Sequence, residues 1–96
     1  MKETFYALKG MGNGEKKLEQ KTGDFDKELN VYFHKEKNGW SVTDAYTGSS
    51  IVVGKESKKD AQEELKKKVE KLREIRNGEK YLQAAINYQE LVEDKE

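Results

Sequence analysis

The chain has no cysteine and no proline, a single histidine and a single tryptophan, and no surplus of either charge. Without cysteine there is neither a disulfide framework nor a thiolate metal site. No stretch approaches the roughly 18 apolar residues that a membrane span needs. The opening Met1-Lys2-Glu3 leads into no apolar run, so the expected home is the cytoplasm, away from any membrane. Lys plus Arg and Asp plus Glu number 19 each. That balance weighs against a dedicated nucleic-acid binder, whose affinity comes largely from phosphate neutralisation. One histidine and no paired acid and base leave little for catalysis, so the expectation is a protein that is not an enzyme. Nothing in the residues indicates a cofactor, a metal or a small-molecule ligand.

What is present is strongly polar: 40% of residues are charged and 33% hydrophobic. The apolar residues are periodic, which argues for an ordered chain with a thin core. Residues 1–96 suit one domain. Residues 4–8, Thr-Phe-Tyr-Ala-Leu, read as a strand. Gly10-Met-Gly-Asn-Gly14 and the polar stretch after it read as a mobile loop over residues 10–28, with an added strand near Leu18 as a variant. The glycine cluster matches neither the dinucleotide nor the Walker spacing and reads as a connector. Asp24-Phe-Asp26-Lys-Glu28 alternates carboxylates but lacks the glycine and distal glutamate of a calcium loop, so it reads as a solvated turn.

Leu29, Val31 and Phe33 alternate with Asn30, Tyr32 and His34, which is strand spacing. Asn38-Gly39 suits a two-residue type I′ turn. That register sets Lys37 opposite Trp40, Lys35 opposite Val42, Phe33 opposite Asp44 and Val31 opposite Tyr46. It also sets His34 opposite Thr43 and Tyr32 opposite Ala45. Leu29, Val31, Phe33, Trp40, Val42 and Tyr46 then share an apolar face, to which Ile51 and Val53 return. Asn30, Tyr32, His34, Thr43, Ala45 and Val52 form a polar, wet face. Asp44 is the odd residue on the apolar side. A buried carboxylate needs donors, expected from the backbone of residues 47–49 or from lysines. It points away from His34, so no Ser-His-Asp set forms locally, and His34 reads as a surface residue.

Ser57 is positioned to cap a helix with Asp60 in its first turn. Ala61, Leu65, Val69, Leu72 and Ile75 give that helix a narrow apolar stripe. Asn77-Gly78, both tolerant of the left-handed conformation, mark its stop. A second amphipathic helix follows over residues 79–92, carrying Tyr81, Leu82, Ala85, Ile86, Tyr88 and Leu91. The fold class is therefore α+β. A three- to four-stranded antiparallel meander at residues 29–54 is followed by a helical hairpin at 57–92 packed on one sheet face. Trp40, Val31, Phe33, Val42, Val53, Leu65 and Leu72 are the expected core. The second helix has an alternative, to swing away and pair with another chain.

Residues 55–76 carry nine basic and six acidic side chains, and residues 77–96 two basic and five acidic. Basic and acidic residues interleave at i,i+4 spacing, the pattern of a solvated face. Gly54-Lys-Glu-Ser-Lys-Lys-Asp-Ala61 nevertheless resembles the strand-to-helix corner of double-stranded-RNA-binding domains. That resemblance implies phosphate contacts for Lys58 and Lys59. It spans eight residues, and Gln62 stands at the family's next basic position. Gly39-Trp40, Gly54, Ser57 and Ala61 also follow the outline of the partial RNase-H-like fold of HicB-type antitoxins, without that family's proline-rich turn.

Two functional expectations follow. The first is a small interaction or regulatory module, of the kind mobile genetic elements carry. It binds a protein partner, or itself, through the open sheet face (Tyr32, His34, Thr43) or the second helix. The alternative is a nucleic-acid-binding domain using Lys58, Lys59 and Lys66.

Overall fold

In the computed structural model, which describes residues 2–10, 14 and 16–95, the segment expected to be a loop is largely strand. The elements run β1 (Lys2–Gly10), β2 (Lys16–Asp26), β3 (Val31–Glu36), β4 (Gly39–Asp44), β5 (Ser50–Lys55), α1 (Lys58–Arg76) and α2 (Glu79–Lys95). The sheet is a five-stranded antiparallel meander in chain order, where the sequence suggested three to four strands. β1 pairs with β2 along its whole length, from Lys2 with Asp24 to Gly10 with Lys16. Met11, Gly12 and Asn13, in the middle of the glycine cluster, lie outside the described residues.

The β3–β4 hairpin keeps the expected faces with a register two residues away. Val31 pairs with Asp44, Phe33 with Val42, His34 with Ser41 and Glu36 with Gly39. The loop residues are thus Lys37 and Asn38. Asn30 is the one described non-glycine with positive φ, so the turn is not type I′. Gly39 takes the positive φ instead, at 119°. A two-residue shift preserves sidedness because side chains alternate with a period of two. Tyr46 falls past the end of β4 and is exposed.

β5 departs further. Irregular register between β4 and β5 turns the strand over, so Val52 faces the core and Val53 is 59% exposed. A bulge of this kind re-aims the residues that follow it. The core comprises Val31, Phe33, Val42 and Val52 under Ala61, Leu65 and Leu72, with Leu29, Trp40 and Ile51 packed at its rim. Each fully buried Leu or Val stabilises by about 1.5–3 kcal/mol, so this one layer holds α1 to the sheet.

Ser57 caps α1, accepting from Asp60 N at 3.1 Å, as its position in the sequence implies. The stop at Asn77 works differently. Asn77 stays right-handed at φ −85°, and its N–H returns to carbonyls of the last turn of α1. Gly78 N–H returns to Ile75 O at 3.1 Å, and α2 begins at the next residue.

α1 covers the β3–β4–β5 face. Tyr88 is the buried residue of α2. Its ring lies over Gly48 where any Cβ would collide, and its hydroxyl donates to Tyr6 O at 2.6 Å. Leu8 N donates to Gly48 O at 2.8 Å, which brings β1 back to the loop before β5. The sheet is therefore curled, and its second face is a concavity.

Candidate functional site

Two places gather chemically capable side chains, one on each side of the sheet. On the concave side, the expected wet face is buried: His34 is 4%, Thr43 1% and Ser41 4% exposed. The β1–β2 ribbon curls over it. Phe5 stacks on Tyr32, with ring centres 4.3 Å apart and planes 8° from parallel, and tilts against His34 at 5.1 Å. Gly23 makes room, since a Cβ there would lie 2.7 Å from Phe33 O and 3.1 Å from the Phe5 ring.

His34 Nδ1 is 2.7 Å from Glu36 Oε2, and Nε2 is 2.8 Å from Thr43 Oγ1. A carboxylate only accepts, so Nδ1 carries a proton; in the neutral ring Nε2 accepts from the Thr43 hydroxyl. Lys21 pairs with Glu36 and, at 3.2 Å, with Glu19. Burial pushes the Glu36 pKa up, but hydrogen bonds from Lys21 and His34 outweigh it and leave it lowered. Burial pulls Lys21 down, but its bonds to Glu36 and Glu19 leave it raised. The hydroxyl–imidazole–carboxylate order resembles a nucleophile relay in form. Thr43 is 99% buried, however, so the chain of bonds clamps the β1–β2 ribbon to β3 and β4. The sequence held the signal, because Glu36 two residues beyond His34 must share its face.

On the helix side, Asp44 is 3% exposed and satisfied by donors from three directions. Oδ1 accepts from Arg76 Nη2 at 2.8 Å and from Tyr46 N at 3.3 Å. Oδ2 accepts from Thr47 Oγ1 at 2.8 Å and from Tyr81 OH at 2.5 Å. The donors differ from those expected: the backbone N–H is that of Tyr46, Thr47 donates through its hydroxyl, and the charge partner is Arg76 at the end of α1 rather than a lysine. Arg76 Nη2 also reaches Asn30 O at 3.4 Å, and its guanidinium lies 5.2 Å from the Tyr46 ring centre. Burial, reinforced by the bond to Asp44, raises the Tyr81 pKa strongly. Asp44 thus fixes the end of α1 and the start of α2 to β4.

Beyond this hub lies a groove of about 430 Å³ between the start of β5, the second half of α1 and the first half of α2. Leu72, Ile75, Ile51 and Ala84 wall it, Lys68 and Lys71 stand at its edge, and Asp44 and Tyr81 close its end. Ile75 is 49% exposed. Among the described residues β5 is the last strand of the sheet, and no strand pairs with its outer backbone. Lys68 Nζ donates to Ile51 O there, at 3.2 Å.

The basic corner does not join either site. Lys58 donates to Asp24 Oδ2 at 2.9 Å and lies 5.9 Å from the Phe33 ring centre. Lys59 and Lys66 are exposed on α1. The structure brings Tyr32, His34 and Thr43 together and keeps the three lysines apart from them. Asp26 Oδ1 accepts from Glu28 N at 2.9 Å, the local turn expected there. Among the described residues, no acidic or histidine cluster could hold a metal ion. No helix there is long and apolar enough to cross a membrane. Comparison with known proteins finds no matching family model, no similar curated protein and no similar solved structure.

Proposed function

We propose that this chain is a small, non-enzymatic protein-interaction module whose partner enters the groove between β5, α1 and α2. One observation carries the reading. α2 is bonded to the body through Tyr81 and Tyr88, and the space between it and α1 is left as an apolar recess of about 430 Å³. Protein interiors leave few voids larger than a water molecule, so an unfilled recess walled by Leu72 and Ile75 is a binding feature before it is a packing one. Leu82, Ile86 and Leu91 are also exposed on α2, outside the lining of the recess. On the other expected surface, His34 and Thr43 are buried and Tyr32 is half-buried, so the groove offers more exposed apolar surface.

Selection of a random peptide library against the immobilised protein tests this reading. Enrichment of a consensus whose peptides shift the amide resonances of Ile51, Leu72 and Ile75 supports it. Failure to enrich any sequence, with the protein shown to be folded, rejects it.

A further inference from the structure

The groove and the concave cavity lie on opposite faces of the sheet, and β5 runs between them. Ser50 and Ile51 line the groove, while Ser50 and Val53 line the concave cavity of about 240 Å³ that contains His34 and Ser41. A strand laid against the outer edge of β5 would therefore send alternate side chains into two chemically different recesses. One is apolar, walled by Leu72 and Ile75. The other is polar, with the hydroxyls of Ser41 and Ser50 and the ion pair of Lys21 and Glu36 at its walls.

Among the described residues β5 has no strand paired to its outer edge; β1 reaches only the preceding loop, where Leu8 N donates to Gly48 O. Natural sheet edges are commonly guarded by proline, inward charges or covering elements. β5 reads Ser-Ile-Val-Val-Gly-Lys, with its one charge at the far end. The carbonyl of Ile51 accepts from the exposed ammonium of Lys68, at 3.2 Å. A flexible lysine is readily displaced, and its position marks where a strand N–H would donate.

Charge chooses the occupant. Asp44 is saturated by Arg76, Tyr81, Thr47 and Tyr46, so the uncompensated charge at the mouth belongs to Lys68 and Lys71. A second copy adding through its own β5 would bring no carboxylate, since that strand contains none. Building on the interaction reading above, we infer that β5 is a strand-addition site for an extended segment with a large apolar residue and acidic neighbours. The apolar side chain fills the groove, and the acidic ones meet Lys68 and Lys71.

The probes are short acetylated and amidated peptides alternating leucine or phenylalanine with aspartate and threonine, titrated into the labelled full chain. Three controls accompany them: lysine in place of aspartate, N-methylation of alternate backbone nitrogens, and the protein carrying both K68A and K71A. The expected result is amide shifts concentrated at residues 50–54, loss of binding on N-methylation, and roughly tenfold weakening in the double variant. Insensitivity to N-methylation overturns the strand-addition inference, as does binding by the lysine peptide equal to the aspartate one. Concentration-dependent shifts of the same amides without peptide overturn it in favour of a second copy. Library peptides that shift the amides of Leu72, Ile75 and Ala84 while residues 52–54 stay unshifted also overturn it, yet leave the interaction reading standing. A library that yields no binder removes both.

Discussion

Tyr81, one turn into α2, donates its hydroxyl to Asp44 at the end of β4 across 2.5 Å, and Arg76 at the end of α1 occupies the other carboxylate oxygen. Three elements are thus joined on one buried charge. The two helices gain their relation to the sheet from it, and the groove exists because of where it holds α2.

Replacing Asp44 by alanine leaves the Arg76 guanidinium without its charge partner in a site where its Nε is already unsatisfied. Breaking a buried pair from one side costs about 3–5 kcal/mol. Urea denaturation of Asp44→Ala should show a loss of that size, while Thr47→Val, which removes one neutral donor, should cost about 1 kcal/mol.

Tyr81 makes the hub sensitive to alkali. Its folded pKa is raised, by burial first and by the Asp44 bond second. Between the ordinary tyrosine value near 10 and the higher folded value, the unfolded chain loses the proton and the folded chain keeps it. Stability is therefore fully present below about pH 10 and declines as pH rises beyond it. Tyr32 and Tyr88, also raised by burial, act in the same direction. Urea midpoints measured from pH 8 upward should fall less steeply for Tyr81→Phe than for the unaltered protein.

The concave network responds at the other end of the scale. Glu36 has a lowered folded pKa, so its contribution is present above the ordinary glutamate value and is lost as pH falls through the folded one. Glu36→Gln should cost about 1 kcal/mol at neutral pH and flatten the acid limb of the stability profile. An acid limb as steep in the variant as in the parent would assign the loss to other carboxylates.

Gly48 is where α2 touches the sheet's rim. It adopts φ +70°, and a Cβ there would overlap the Tyr88 ring. Gly48→Ala adds left-handed strain of about 1 kcal/mol to that clash. Hydrogen exchange should show α2 amides losing protection in this variant while α1 amides keep theirs.

The legible parts of this fold were those with strong period. Val31, Phe33 and Val42 announced their shared face by alternation, and Ala61, Leu65 and Leu72 announced theirs by steps of three and four. The β1–β2 ribbon was hidden because β2 buries only Leu18 and Gly23 among eleven residues, so no apolar alternation marks it. Its partner strand, not its own sequence, supplies the reason for it to be extended. Val52 and Val53 exchanged roles because irregular pairing beside β4 turned β5 over, and a bulge leaves no sign in a run of three β-branched residues. The groove was not foreseen, since it arises between elements whose relation depends on Arg76 and Tyr81 finding Asp44. Tyr81 and Tyr88 dock α2 on the body, and the apolar residues that helix exposes are Leu82, Ile86 and Leu91.

The most direct test of the central claim compares a library-selected peptide binding to Ile75→Glu and to Leu82→Glu by calorimetry. Ile75 walls the groove, whereas Leu82 lies on the outer side of α2. The account predicts that Ile75→Glu abolishes the negative heat-capacity change of apolar burial together with the affinity, and that Leu82→Glu leaves both intact. Loss of binding in Leu82→Glu with Ile75→Glu unaffected would contradict it and move the interaction surface to the outer face of α2.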